Sequence, residues 1–383
     1  MIKVKTDKNY ILIKKLISLP LKIIFGLIIF CLLISYLSPF THPENIWWVA
    51  FFGLGYSFLF FASIIVIIVC FWLKWKIKWV YVFLFLVGIP IHLRFFALGN
   101  NTEITDEIKA NSVSIMSYNV RLFDVYNWLN ESEKYKSRDR ILAYIKDESP
   151  DILCLQEFYN DRRKNPYVTI EQVAETASYE YNHQHLVLQA KKSDFGIIIF
   201  SKYPIIKRGS VYGANHANQF SIFADIVKNK DTFRVYNIHL QSVQFQKEDY
   251  QIFSDTSQFG ESKTSSFYSL INKVKKAYPP RAKQAQKIIE HLKQSPYPVI
   301  VCGDFNDTPI SYVYNLFNRQ LYDSFRKAGF GLGRTYAGKI PAGRIDYIFH
   351  DEELKSYSFN IQKETLSDHF AVISRIGKDL TKN

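Results

Sequence analysis

The stretch VIVCGDFNDTP, Val299–Pro309, decides how this chain of 383 residues is read. Val299–Cys302 is short, β-branched and preceded by Pro296 and Pro298, which predicts a buried strand. Side chains two apart in extended chain point the same way, so Asp304 and Asn306 are expected side by side at the strand end. One is a carboxylate that can take a proton, the other an amide that can orient a neighbour. An Asx-rich turn accounts equally well for the fragment alone. The rest of the chain separates the two readings.

From about Asn111 onward, short β-rich runs alternate with amphipathic helices. VSIMSYNV, DILCLQE, FGIIIFS, RIDYIFH and FAVISRI read as strands, and FSIFADIV pairs with FRVYNIHL around the turn KNKD. SRDRILAYIKDES, begun by Ser137, and RAKQAQKIIEHLKQ read as helices, and Thr308–Pro309 is expected to start another. Gln241–Tyr278 is long and polar, and is read as an insertion over the site or a mobile loop.

Several strands end on polar residues that a core would not choose. Asn119 ends the first, Glu157 ends DILCLQE, Asn237 and His239 end YNIHL, Asp346 interrupts RIDYIF, and Asp368–His369 precede FAVISRI. One such residue is an ordinary turn residue, whereas a series along one α/β domain is how such folds build a site. Glu157, Asp368 and the Asn119 carbonyl are hard oxygen ligands suited to Mg²⁺ or Ca²⁺. His239 and His369 can meet a phosphate or protonate a leaving oxygen, and a carboxylate within reach of His369 would favour its cation. Cys31, Cys70, Cys154 and Cys302 lie in apolar runs or strands with no ligand-like spacing, which excludes a zinc site and a disulfide frame.

The motifs MSYNV, DILCLQE, YNIHL, GDFND, RIDYIF and SDHFAV, in this order, resemble the endonuclease/exonuclease/phosphatase superfamily over about residues 111–378. The resemblance implies an α/β (α+β) four-layer sandwich, with two packed mixed β-sheets flanked by helices. It also implies a hydrolase in which metal-assisted, in-line water attack opens a phosphodiester or phosphomonoester. In that scheme Asp304 is the base and Asn306 holds Asp304 or the phosphate oxygens. Glu157 with Asn119 holds the metal, Mg²⁺ first with Mn²⁺ or Ca²⁺ as alternatives, and Asp368 supports the metal or the histidine. Asp346 pairs with His369, which stabilises the transition state or protonates the leaving oxygen. His239 and Asn237 contact the scissile phosphate. Arg281 is a further phosphate candidate, unless it is simply an exposed arginine opening a helix. A histidine at 239, where abasic-site endonucleases carry tyrosine, is similar to the deoxyribonuclease, sphingomyelinase and inositol-polyphosphate phosphatase branches. An extracytoplasmic nuclease on DNA or RNA and an inactive binding module of the same fold are the alternatives.

The net charge of +13 is concentrated where it does not favour nucleic acid. Residues 1–100 carry ten Lys/Arg against two Asp/Glu, leaving the remainder near neutral. This first third holds three apolar runs, with spans expected at about 17–38, 47–72 and 79–98 and a lipid bilayer as partner. Lys3, Lys5, Lys8, Lys14 and Lys15, with Lys74, Lys76 and Lys78, predict a cytoplasmic N-terminus. Three crossings would then put the catalytic domain outside the cytoplasm. The expected organisation is an anchor at 1–100, a linker at 101–110 and a catalytic domain at 111–378.

Overall fold

The computed structural model describes residues 8–99, 102–126, 135–190, 192–212, 220–243, 261–338 and 343–379. The alternating runs form two six-stranded mixed sheets. Their strands are, in chain order, β2 (Ser112–Asn119), β3 (Ile152–Asp161), β4 (Tyr181–Ala190), β5 (Ser193–Ser201), β6 (Ile205–Ser210), β7 (Phe220–Lys228), β8 (Asp231–His239) and β9 (Val299–Asp304). β10 (Tyr322–Asp323), β12 (Asp346–His350), β13 (Leu354–Ile361) and β14 (Val372–Lys378) complete them. A separate short pair joins β1 (Ala97–Leu98) to β11 (Phe330–Gly331). One sheet runs β13-β14-β2-β3-β5-β4 and the other β10-β12-β9-β8-β7-β6. Each has a single parallel pair at its centre, β2 with β3 and β8 with β9, and every other pairing is antiparallel.

Period-two alternation gives each sheet two apolar faces. Val113, Ile115, Ile152, Cys154 and Ile199 of one sheet meet Ile222, Val235, Ile300, Cys302 and Ile348 of the other in a shared core. The opposite face of the first sheet is covered by α7 (Lys136–Glu148) and α8 (Ile170–Thr176) through Ile141, Ile145 and Val173. The opposite face of the second is covered by α9 (Glu261–Leu292) and α10 (Tyr312–Asn318) through Ala285, Ile288, Val313 and Phe317. Helix, sheet, sheet and helix make four layers, as expected.

Three local expectations change. Ser311, not Thr308, caps α10, its hydroxyl accepting from Tyr314 N at 3.0 Å. α9 begins at Glu261, so Arg281 lies mid-helix and residues 261–278 are helical; 244–260 of the expected insertion fall outside the described residues. Asn237 is fully buried and faces the other sheet. Its Nδ2 donates to Leu155 O at 3.0 Å and Ile198 O at 2.9 Å, while its Oδ1 accepts from Gln156 Nε2 at 2.7 Å. It joins the sheets and is not free to meet a phosphate.

The N-terminal third is helical, but it is not the expected bundle of three spans. Ser18–Phe40, within and just beyond α1 (Lys8–Leu37), is the one helical segment among the described residues long and apolar enough by itself to cross a membrane. The second run is split at Gly55 into α2 (Trp47–Leu54) and α3 (Tyr56–Trp72), bent by 63°. The third gives only ten residues in α4 (Lys78–Val87) and four in α5 (Ile89–His92), and Ala97–Leu98 are already strand. α1, α3 and α4 turn large apolar side chains outward, among them Ile24, Phe30, Ile65, Trp72 and Phe83.

This helical unit is docked on the sandwich. Ile310, just after the GDFND loop, packs among Leu32, Tyr36, Tyr56, Ile91 and Phe95. Arg94 donates to Asn315 Oδ1 at 2.9 Å, and Arg344 donates to the Arg94 carbonyl at 2.9 Å. The expected linker is also engaged: Thr102 N donates to Tyr357 O at 2.8 Å, and Thr105 caps α6 (Asp106–Ala110).

Replacing Asn237 with Ala removes the side-chain donor to the Leu155 and Ile198 carbonyls and one of the three acceptors of Gln156 Nε2, which keeps Ser117 Oγ at 3.1 Å and Cys154 O at 3.2 Å. The expected loss is about 3 kcal/mol of stability, read as a lower urea midpoint of the full chain.

Candidate active site

Two backbone irregularities bring the polar strand ends together. The ladder between β3 and β5 shifts register between Leu155 and Phe158, and Glu157 in this bulge has φ +48°. On β9, Gly303 has φ +146° and lies against β8, where a Cβ would stand 1.9 Å from Ile238 O. Only glycine permits that approach. The register then sets His239 opposite Asp304.

The GDFND segment turns where extended chain was expected, because Asn306 adopts φ +53°. Its backbone N–H donates to Asp304 Oδ1 at 2.8 Å, and its Nδ2 donates to Leu240 O at 3.0 Å. The fragment is thus an Asx turn and part of the cluster at once. Asn306 holds Asp304 through its main chain, while its own amide secures the end of β8.

Asp304, 1% exposed, is the hub. Its Oδ2 accepts from Asn119 Nδ2 at 3.1 Å and faces the Nε2 atoms of His239 and His369, each at 3.7 Å. Asn119 Nδ2 also donates to Glu157 Oε1 at 3.3 Å, while its Oδ1 accepts from Arg121 N at 3.0 Å. The amide nitrogen, not the expected carbonyl, therefore faces the acids. His239 lies 3.8 Å from Glu157, stacks on Phe220, and keeps a buried Nε2 with no hydrogen-bond partner among the described residues.

His369 Nδ1 lies 3.0 Å from both oxygens of Asp346. Sequence reasoning missed what holds this pair. Thr335 Oγ1 accepts from the backbone N–H of Ile345 and Asp346, and the edge of Tyr336 meets the His369 ring at 5.3 Å. Neither residue ends an apolar run, so strand-end patterning carried no signal for them. Asp368 turns to Arg121 at 3.4 Å and to Ser367, whose hydroxyl donates to Asn119 O. Arg281 is fully buried, 3.3 Å from Asp307 and donating through Nε to Gln241 O at 2.8 Å. It is neither an exposed helix-start residue nor gathered with the Asp304 cluster.

A family model described as Endonuclease/Exonuclease/phosphatase family matches residues 116–369. The chain belongs to this family. A domain of unknown function matches residues 14–95, and no curated protein matches the sequence. Among solved structures, an endonuclease/exonuclease/phosphatase from Bacteroides vulgatus is 18% identical with a TM-score of 0.50, covering 70% of this chain and 99% of that one. One from Beutenbergia cavernae is 17% identical with a TM-score of 0.49, over 70% and 72%. The human Nocturnin catalytic domain with bound sulfate is 17% identical with a TM-score of 0.48, over 70% and 94%. At these identities the likeness extends to the fold alone.

Within this family member, charge is arranged around the Asp346–His369 pair. Burial opposes a charged His369, but the carboxylates of Asp346 and Asp304 outweigh it and hold the imidazole well above its ordinary range. Burial pushes Asp346 up, His369 pulls it back, and neighbouring Asp304 pushes it up again. Ligand-capable atoms of Asp304, Asp346 and His369 lie within 4.8 Å of one another. Among the described residues, neither Glu157 nor Asp304 has a Lys or Arg partner. Oxygen donors of this type, beside the unpartnered His239 nitrogen, fit a hard divalent cation.

A raised histidine pKa stabilises the fold fully below its unfolded value near 6.5, and the contribution is lost as pH rises through the folded value. Asp346→Asn removes the larger carboxylate effect, so the His369 imidazole is expected to titrate at lower pH, followed by NMR of its ring protons. An unchanged titration would mean that Asp346 does not set the charge of His369.

Proposed function

We propose that this protein is a membrane-anchored, divalent-metal-dependent phosphoesterase that hydrolyses a phosphodiester or phosphomonoester by in-line attack of water. The observation that carries the reading is the buried Asp304 carboxylate, faced at 3.7 Å by both His239 and His369, with His369 braced by Asp346. A pair of imidazoles converging on one carboxylate, too far for hydrogen bonds, suits a small polar group held between them.

In this reading Asp304 takes the proton of the attacking water. Asn119 and the Asn306 backbone fix its two oxygens, which restricts the direction from which the water is deprotonated. In-line displacement places nucleophile and leaving group on opposite sides of phosphorus. His369, beside Asp304, therefore serves the attacking side, where its positive charge stabilises the phosphoryl oxygens as charge develops. His239 supplies a second donor to the same oxygens. Glu157, with support from Asn119 and Asp368, would hold an ion such as Mg²⁺, whose chemistry is neutralisation of phosphoryl charge. Uncatalysed phosphate-ester hydrolysis is slow enough that on the order of 20 kcal/mol must be removed, mainly by such charge stabilisation and positioning.

The anchor in this proposal is the segment Ser18–Phe40, with the outward apolar faces of α3 and α4 alongside it in lipid. The lysines before Ser18 favour a cytoplasmic N-terminus; α3 and α4 run back and forth beside the segment without changing the net side, which puts the catalytic domain outside the cytoplasm.

The test uses the purified full chain with Mg²⁺ or EDTA, on single- and double-stranded DNA, an inositol phosphate, a sphingomyelin and a generic phosphodiester. Metal-dependent cleavage is expected, with Asp304→Ala lowering kcat/KM by about 10³-fold. Glu157→Gln is expected to raise the Mg²⁺ concentration for half-maximal activity at least about tenfold. Cleavage that survives both EDTA and Asp304→Ala would overturn the mechanism. Preference for DNA would select the nuclease alternative.

A further inference from the structure

We propose that an apolar cavity beside the catalytic cluster holds the hydrocarbon chain of an anionic amphiphile, so that the ester hydrolysed is a long-chain phosphate drawn from the bilayer. The inference rests on the phosphoesterase reading and names its substrate class. The cavity, of about 490 Å³, lies at the seam between the start of α3 and residues Leu332, Arg334, Gly338 and Gly343. That volume is in the range of small-ligand sites. Its wall is largely aromatic, with Tyr56, Phe60, Phe61, Phe95 and Phe96, and Arg334 is the only charged residue in its described lining.

Position distinguishes this cavity from a packing gap. Arg334 and Gly338 line it, and the residues between them reach the catalytic pair. Thr335 Oγ1 accepts from Asp346 N at 3.1 Å, and Tyr336 lies against His369. Gly343, also in the lining, accepts through its carbonyl from the backbone N–H of both Thr335 and Tyr336. One short segment therefore forms a wall of the cavity and a support of the site. A molecule filling the cavity would have its polar end directed along that shared wall.

The cavity's other side meets the apolar surface of the helical unit. Phe58 and Phe61, both in its lining, are 55% and 50% exposed. A chain leaving a hydrocarbon phase would enter among apolar side chains without crossing water. Arg334 is exposed, donates to Tyr336 O at 2.7 Å, and has no carboxylate partner among the described residues. A lone guanidinium beside an otherwise apolar wall favours the approach of an anionic amphiphile over a cationic one.

The full chain, held in amphipol with Mg²⁺, is assayed on 4-nitrophenyl butyl phosphate and 4-nitrophenyl octyl phosphate below their micelle concentrations. Each methylene buried strengthens binding up to about fourfold, so the octyl ester should have a kcat/KM at least about tenfold higher. Ser57→Trp, which places an indole in the cavity, should lower that octyl-to-butyl ratio about tenfold. Equal rates on the two esters, or a ratio indifferent to Ser57→Trp, would overturn the proposal. Photolabelling of the unmodified chain with a dodecyl phosphate carrying a diazirine in its tail gives a readout independent of turnover. Adducts are expected on Phe58–Phe61 and Leu332–Gly338, and adducts confined to the outward faces of α1 and α4 would overturn the proposal. Absence of cleavage of either ester would instead remove the phosphoesterase reading, and the photolabelling would still decide the cavity.

Discussion

One carboxamide sets the spacing on which the site depends. Asn237 reaches from β8 to the carbonyls of Leu155 and Ile198, and receives Gln156 in return. Two residues further along the same strands stand His239 and Glu157, one from each sheet. An apolar core fixes the distance between sheets only approximately, since it has no directional preference. Three hydrogen bonds in a buried interior add a directional constraint, because leaving any of them unmade is costly. The spacing of His239 and Glu157 therefore depends on a residue buried behind them.

Around this fixed spacing, strain accumulates at the functional positions. Glu157 and Asn306 sit in left-handed backbone conformations, and Gly303 occupies one that a side chain could not enter. Each such non-glycine conformation costs on the order of 1–3 kcal/mol and persists only where the surroundings over-determine it. Here the two central parallel pairs and their covering helices do so. The bulge at Glu157 breaks the ladder and leaves this carboxylate partly exposed, whereas Asp304 and Asp346 remain buried.

Much of this architecture could be read from the sequence. Apolar runs closed by Asn119, Glu157, His239 and Asp304, with His369 just before another, mark the strand ends, and all five residues converge. What alternation cannot reveal is which way the last residue of a strand faces. Asn237 and His239 share one face of β8, but the first lies between the sheets and the second at their open end. Arg281 was expected to open a helix, whereas α9 begins at Glu261 and runs through Pro279 and Pro280. The edge strands β4, β6 and β13 are rich in polar residues and hold no continuous apolar run, which leaves them a weak sequence signal. In the N-terminal third, hydropathy counted apolar residues but could not register the bend at Gly55 or the short third run. Thr335 and Tyr336 act through loop geometry, which leaves no periodic trace.

The order of the strands has a further consequence, for biosynthesis. β14 follows every other strand in the chain, yet it lies between β13 and β2, and His369 immediately precedes it. A nascent chain can assemble the second sheet, with Asp304 and His239 in place, while the first still lacks an interior strand. Such long-range pairing delays closure of the sandwich. The acid–imidazole pair is consequently the last part of the site to form. Until then the nascent chain holds Asp304, His239 and Glu157 without the His369 imidazole that faces Asp304, and termination anywhere upstream leaves that cluster incomplete.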